Sequence, residues 1–115
     1  VIYFNNEDYK NAVETFSKID KKVQDSLKGE ADYLIGMCYY NLGNYVLAAE
    51  VFIKTSYLYA GQNILVAKSQ YMAGQSYEKD NKKMNAIKIY DKLLETHSGN
   101  EWVKKAEERR KELKQ

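Results

Sequence analysis

The sequence of 115 residues contains no proline and a single cysteine, Cys38. Because proline breaks the interior of a helix, its absence favours long uninterrupted helices. One cysteine cannot form an intramolecular disulfide, so a disulfide-stabilised fold is excluded. No apolar run approaches the ~20 residues of a membrane-spanning helix. The chain has the length of one domain, and its hydrophobic content of 44% is enough for an ordinary core.

Neither sign of charge is in clear excess. The 18 Lys and Arg residues face 16 Asp and Glu residues, which leaves a net charge of +2. This near balance gives no general attraction to nucleic acid, so we expect no nucleic-acid partner. The charged stretch "KKAEERRKELK" interleaves acids with bases and indicates a solvated surface.

Residues that build catalytic and metal sites are also scarce. Nucleophilic catalysis needs a nucleophile beside a base, and here the one cysteine is Cys38 and the one histidine is His97. We expect Cys38 to be a buried packing residue, because free cysteines behave as small hydrophobes. His97 is expected at a helix C-terminus. With no glycine-rich phosphate loop and no zinc-ligand spacing, the sequence predicts a protein that is not an enzyme and needs no cofactor or metal.

The chain repeats itself. A shift of 38 residues places identical or similar residues on one another at five positions: Tyr33 on Tyr71, Gly36 on Gly74, Tyr39 on Tyr77, Ala48 on Ala86 and Phe52 on Tyr90. A shift of 36 residues in the other direction finds a third, incomplete copy, with Tyr3, Tyr9, Ala12 and Phe16. The sequence therefore contains two whole units and one that lacks its front half.

Each unit has the pattern of two helices joined by a turn. In the second copy Leu34, Met37, Cys38 and the pair of Tyr39 and Leu42 follow the spacing of an amphipathic helix. The turn "NLGN" follows, where Gly43 can take a positive φ and Asn44 can cap the next helix. The predicted fold is all-α. The predicted segments are a partial repeat at 1–22, whole repeats at 26–60 and 63–97, and a charged terminal helix at 100–114.

Two glycines in the middle of predicted helices indicate close packing. Gly36 and Gly74 each cost about 1 kcal/mol relative to alanine at such a position. The cost is tolerated where another helix must approach, and Ala48 and Ala86 on the partner helices offer the small surfaces that can meet them. Tyr39 and Tyr77 are expected to point into the same core.

These residues resemble the tetratricopeptide repeat, a helical hairpin with the motifs W-x2-L-G-x2-Y and A-x3-F. The second copy carries Gly36, Tyr39 and Ala48-x3-Phe52, and the third copy carries the same motif from Gly74 to Tyr90. The resemblance implies an α-solenoid of about two and a half hairpins plus a C-terminal helix. The lengthened repeats, with "YAGQ" and "HSGN" at their turns, are similar to bacterial envelope proteins of this family. The Tol-Pal-associated periplasmic coordinator and the outer-membrane assembly lipoprotein are of that type.

The resemblance also implies a binding surface, because the first helix of each stacked hairpin lines a concave groove. Eight residues on first helices lie off the packing stripe and are expected to point into it: Tyr33, Met37, Tyr40, Asn41, Tyr71, Gln75, Glu78 and Lys79. Phe4 and Asn5 correspond in the partial repeat. The alternative is that Tyr33 and Tyr71 pack between neighbouring first helices. Met37 and Gln75 replace the asparagine of family members that clamp carboxylates, which argues against such a clamp.

The most direct function is therefore non-catalytic binding of a protein, as a peptide or partner helix in the groove. Two alternatives remain: a structural spacer or self-association segment of a longer protein, and an accessory region of an enzyme. The resemblance places the protein in the envelope or periplasm, with the cytoplasm as alternative. The apolar start, "VIYF", predicts either preceding chain or self-association through the half-repeat.

Overall fold

The computed structural model of the protein describes residues 21–115, and every regular element in that range is an α-helix. The five helices are α1 Lys21–Asn41, α2 Tyr45–Leu58, α3 Asn63–Lys79, α4 Lys83–Thr96 and α5 Glu101–Leu113. The all-α prediction is confirmed. The predicted partial repeat, with Phe4 and Asn5, lies almost wholly outside the described residues.

The turns between paired helices depend on left-handed backbone. Gly43 takes the positive φ that the sequence predicts, 82°, and Asn81, 38 residues later, has a φ of 59°, because glycine and asparagine tolerate this region. The expected side-chain cap at Asn44 is wrong, because its ψ of 73° lies outside the extended region that N-caps use. Asn100 has a ψ of 168°, and its Oδ1 accepts from the Val103 amide. Asn63 is the first residue of α3.

The helices stack in two rows. Each helix packs against the next in the chain, and α3 also contacts α1 and α5. Contacts between these first helices are more extensive than those between α2 and α4. The row α1, α3, α5 therefore forms the inner side of the stack, as expected for helical hairpins piled into a curved solenoid.

Each mid-helix glycine receives an aromatic ring from its partner helix. A Cβ on Gly36 would lie 2.6 Å from Phe52 Cε1, and a Cβ on Gly74 would overlap the Tyr90 ring. The predicted approach of the partner helices is confirmed, but the nearest atoms belong to these rings and not to Ala48 or Ala86. Each ring lies directly on the backbone of its glycine, so the paired helices pack without a cavity between them.

Two hydrophobic clusters form the described core. The first joins α1, α2 and α3 around Phe52, and the second joins α3, α4 and α5 around Tyr90. Both rings are fully buried. Tyr39 packs against the first cluster and Tyr77 against the second, as predicted. Helix α3 therefore contributes residues to both clusters and links the first hairpin to the second.

Only part of the apolar spacing predicted for α1 is buried: Met37 and Tyr39 pack against the first core cluster, and the other three residues are exposed. Leu34 is 55% exposed, Leu42 is 81% exposed, and Cys38 is exposed instead of packed in the core. The buried positions of α1 are Gly29, Tyr33 and Gly36, which lie on the opposite side of the helix. The reason is that α2 and α3 both approach α1 from the glycine side, where the backbone is bare.

Two buried serines of α3 provide a matched test of packing. Ser69 and Ser76 are both 0% exposed, but only Ser76 Oγ has a partner, the Met72 carbonyl oxygen at 2.8 Å. We expect Ser69→Ala to be more stable than Ser76→Ala by about 1 kcal/mol, because only Ser69 buries an unsatisfied hydroxyl. Helix propensity changes equally in both variants. Urea unfolding would contradict this if Ser69→Ala were the less stable of the two.

Candidate functional site

The candidate site is the inner surface formed by α1, α3 and α5. All eight residues predicted for the groove lie on α1 or α3. They differ widely in how much surface they offer to a partner. The structure divides them into residues packed between helices, residues held in a polar network, and residues that remain open.

Tyr33 is a packing residue. Its side chain is only 9% exposed, and its ring centroid lies 5.5 Å from that of Phe52. Lys68 Nζ, on the neighbouring first helix, lies 4.3 Å from the centre of the Tyr33 ring and pairs with Glu30 at 2.8 Å. The structure therefore favours the alternative in which this tyrosine fills the space between α1 and α3, with little surface left for a ligand.

Tyr71 occupies the equivalent position one hairpin later and is more open. Its ring lies 6.0 Å from Tyr90 and 5.7 Å from Trp102, measured between centroids. It thus fills the space between α3 and α5, while the half-buried side chain keeps some contact with solvent. Tyr71 therefore packs between helices and still presents part of its side chain to solvent.

Met37 and Tyr40 form the open aromatic-apolar part of the site. Both are half-buried and pack against the first core cluster. Tyr45 supports the Tyr40 ring edge-on, at 5.4 Å between centroids and 69° between planes. Burial raises the pKa of Tyr40, and Tyr45 and Glu78 raise it further. The phenol therefore stays neutral and can both donate a hydrogen bond and bury apolar area.

A polar network closes the groove toward α5. The Glu78 carboxylate accepts hydrogen bonds from Tyr90 Oη at 2.5 Å and Gln75 Nε2 at 3.1 Å. Arg109 of α5 donates to both Glu78 oxygens, with its Nε at 3.2 Å from Oε2. Glu112 Oε2 accepts a hydrogen bond from Arg109 Nη1 at 2.5 Å. Gln75 and Glu78 are thus committed to contacts within the protein and add little charge to the groove.

The network also sets the protonation of its members. Burial, followed by the hydrogen bond to Glu78, raises the pKa of Tyr90 well above its usual value. The hydrogen bond to Glu78 raises the pKa of Arg109.

Asn41 and Lys79 are exposed at the C-terminal ends of α1 and α3. Lys79 is the single cation among the eight predicted residues, and solvent reaches it freely.

Three residues of this surface were missed by the sequence analysis: Lys68, Trp102 and Arg109. The 38-residue spacing contained the signal, since it relates Glu30 to Lys68 and Tyr71 to Arg109. The interpretation of "KKAEERRKELK" as a solvated face is wrong for Arg109, which is half-buried against Glu78. A stretch of alternating acidic and basic residues indicates only that the helix is polar on average. It does not show which of its basic residues contacts a buried carboxylate.

Residues 21–115 contain no group of three or more His, Cys, Asp or Glu side chains placed to hold a metal ion. Among the helices of that range, none combines the length and hydrophobicity that crossing a membrane requires. The open part of the groove offers aromatic and thioether surface beside internally paired charges.

Comparison with known families agrees with the geometry. The sequence model of the tetratricopeptide repeat matches residues 30–62 and 68–100, which together make more than half of the chain. The two matches begin 38 residues apart, the same spacing that relates α1 to α3. No curated protein and no solved structure matches the chain.

Proposed function

The chain belongs to the tetratricopeptide repeat family, and on this premise we propose that it binds a peptide or partner helix on its inner surface through Met37, Tyr40 and Tyr71. Repeats of this family generally mediate protein–protein interaction and typically act as non-enzymatic scaffolds. The proposal adds the binding mode and the residues that carry it.

The observation that supports this mode most is the placement of Tyr40. Its ring is held by Tyr45 and by the first core cluster, yet the side chain stays partly exposed on the inner row of helices. A tyrosine held in one orientation loses little conformational entropy when it binds. Tyrosine is also among the residues that dominate interface energies.

The charges beside Tyr40 support a partner that is neutral and apolar or aromatic. Glu78, Gln75 and Arg109 satisfy one another, so a charged peptide group would have to break those bonds to gain new ones. Desolvating the charged peptide group would cost free energy, and the new bonds would only replace bonds that the protein already makes. A short apolar peptide in a groove of this size is expected to bind with micromolar affinity, roughly −8 kcal/mol.

Tyr40→Ala is expected to weaken binding by about 1–3 kcal/mol, the range of a modest anchor residue. Peptides selected on the intact chain from a random library serve as probe, and isothermal titration calorimetry measures their affinity. Tyr57→Ala is the matched control, because Tyr57 lies on the outer helix α2 and is 66% exposed. This control should leave the affinity unchanged.

Two results would contradict the groove proposal. If Tyr40→Ala unfolds the domain, as judged by circular dichroism, this tyrosine is part of the core. If binding survives alanine at Tyr40 and Tyr71 together, the contact surface lies elsewhere, and a spacer function becomes the better account. The Tyr40→Phe variant separates the hydroxyl from the ring, because it removes only the hydrogen-bonding group.

We also propose that the protein acts in the bacterial cell envelope, on the periplasmic side. The support for this location is the similarity of its long repeats and of the "YAGQ" and "HSGN" turns to envelope members of the family. Fractionation of the source cell, with antibody detection of the intact protein, tests the location. Recovery in the cytoplasmic fraction alone would contradict it.

A further inference from the structure

Apolar side chains are exposed where the two hairpins turn. Leu42, in the turn between α1 and α2, is 81% exposed, and Met84, in the first turn of α4, is 64% exposed. Val46 holds the position of Met84 one repeat earlier and is 47% exposed. A Cβ on Gly43 would have no atom within 4 Å, so the turn beside Leu42 projects into open space.

These residues lie at one end of the stack of helices. Glu30 of α1 pairs with Lys68 of α3 at 2.8 Å, and α1 and α3 end at residues separated by the same 38 positions. Their C-terminal ends therefore lie side by side, and α2 and α4 start beside them. Lys92 of α4 donates to Tyr57 of α2 at 3.3 Å, so these outer helices are neighbours as well. Because Cα–Cβ bonds tilt toward the N-terminus of a helix, the first side chains of α2 and α4 lean toward this end.

The turn that precedes Met84 is rich in lysine. Lys79 ends α3, Lys82 precedes α4 and Lys83 is its first residue, and all three are exposed. Asp80 is the one acid from 79 to 83, and it pairs with Lys82 at 3.0 Å. Within residues 21–115, Lys79 and Lys83 form no ion pair. The turn therefore carries a net positive charge.

These lysines do not stabilise the helix that they precede. The N-terminus of a helix carries a partial positive charge, so a lysine there opposes helix formation. Lys82 is the N-cap residue of α4 and makes no side-chain hydrogen bond to it, and the first turn of α4 contains no acid. Met84 then adds an apolar side chain that is open to solvent. Residues that break such local rules without a gain in folding are expected at functional surfaces.

Charge and shape together indicate the kind of partner. Exposed lysines attract anionic headgroups, and apolar side chains on a projecting turn require a partner that they can enter. A partner helix would instead need a groove with apolar walls, and the open space around Gly43 offers none. A fluid layer of anionic phospholipid meets both requirements, because it adapts its shape to a projecting turn.

We propose that this end of the stack contacts the surface of an anionic phospholipid bilayer. The contact surface, which we call the turn edge, consists of Leu42, Val46, Lys82, Lys83 and Met84. The lysines pair with headgroup phosphates, while the apolar side chains enter the boundary between headgroups and acyl chains. The contact is separate from the peptide groove, since it uses none of the three residues proposed to bind a peptide.

Sedimentation of the full chain with lipid vesicles tests the proposal. The probes are vesicles of equal parts phosphatidylglycerol and phosphatidylcholine, and vesicles of phosphatidylcholine alone. We expect the mixed vesicles to bind at least about tenfold more tightly, and an increase from about 0.1 M to about 0.5 M NaCl to release the protein, because salt screens the headgroup charge. Equal binding to both kinds of vesicle, or binding to neither, would overturn the proposal.

The double variant Lys82→Gln, Lys83→Gln should weaken binding to the mixed vesicles by about tenfold, because each lysine near an anionic surface strengthens binding roughly fivefold and Asp80 offsets part of the effect. The fold should be retained, since glutamine opposes the dipole of α4 less than lysine does. The matched control is Lys104→Gln, Lys105→Gln, two adjacent exposed lysines in the first half of α5, away from the turn edge. Equal losses in the two double variants would mean that only total charge matters, against the proposal.

The apolar part of the contact is tested by Leu42→Ser, Met84→Ser. We expect this double variant to bind the mixed vesicles about tenfold more weakly, because it loses the side chains that enter the lipid. The control is Tyr57→Ser, Ile64→Ser at the other end of the stack, where the side chains are 66% and 57% exposed. Unchanged binding in Leu42→Ser, Met84→Ser would show a purely electrostatic contact and would contradict the proposal.

Two further measurements separate the turn edge from the groove and from self-association. Tyr40→Ala should leave vesicle binding unchanged, so a failure of the peptide proposal and a failure of this one are distinguishable. Light scattering without lipid, from about 5 µM to about 500 µM protein, should give the same mass for the unaltered chain and for Leu42→Ser, Met84→Ser. A dimer that this double variant abolishes would assign the turn edge to a second copy and would overturn the lipid contact.

Discussion

Gly74→Ala is expected to lower the free energy of unfolding by about 3 kcal/mol, the upper range for overpacking a core. The new methyl would overlap the Tyr90 ring, which is 0% exposed. The ring cannot swing aside, because its hydroxyl is held by Glu78 at 2.5 Å and by Gln75 at 2.8 Å. Urea unfolding followed by circular dichroism measures the change.

Gly36→Ala should be less costly, at about 1–2 kcal/mol, although the methyl also meets a buried ring. Phe52 has no hydroxyl to anchor it, so its ring can tilt to relieve part of the overlap. Gly61→Ala is the control, because no atom lies within 4 Å of a Cβ at this position. It should be neutral or slightly stabilising. The account of Tyr90 would be wrong if Gly74→Ala and Gly61→Ala unfolded at the same urea concentration.

Arg109→Met is expected to lower the free energy of unfolding by about 2 kcal/mol, less than the 3–5 kcal/mol of a fully buried pair. The Glu78 side chain is only 15% exposed, and without Arg109 its charge would keep only the Tyr90 and Gln75 donors. The guanidinium is 35% exposed, so solvent screens part of the loss. Because Arg109 joins α5 to α3, the terminal helix should unfold first, which hydrogen exchange would detect.

The neighbouring arginine provides the control. Arg110 pairs with Asp91 at 2.7 Å, but both side chains are more than a third exposed. Arg110→Met should therefore cost less than about 1 kcal/mol. The double variant Glu78→Gln, Arg109→Met should recover part of the stability lost in Arg109→Met, since it leaves no unpaired charge. Equal losses in Arg109→Met and Arg110→Met would mean that the Glu78 pair is no stronger than a surface pair.

The helices and their turns were predictable from the sequence alone, because these features depend on residues near one another in the chain. Helical spacing marked α1 to α5, and Gly43 marked one of the turns through the backbone conformation that it tolerates. The 38-residue repeat also predicted that Gly36 and Gly74 meet a partner helix. The eight proposed groove residues followed from the same repeat and remain a prediction.

Only the tertiary structure decided which face of each helix is buried and which charges meet. Leu34 and Cys38 lie on one face of α1, and Tyr33 and Gly36 lie on the opposite face. Helical spacing alone cannot determine which of these two faces is buried. The choice depends on where α2 and α3 lie, which brings Tyr33 into the core and leaves Leu34 open. Arg109 and Glu78 are 31 residues apart in the chain, and no local pattern predicts a pair that forms only when α5 packs on α3.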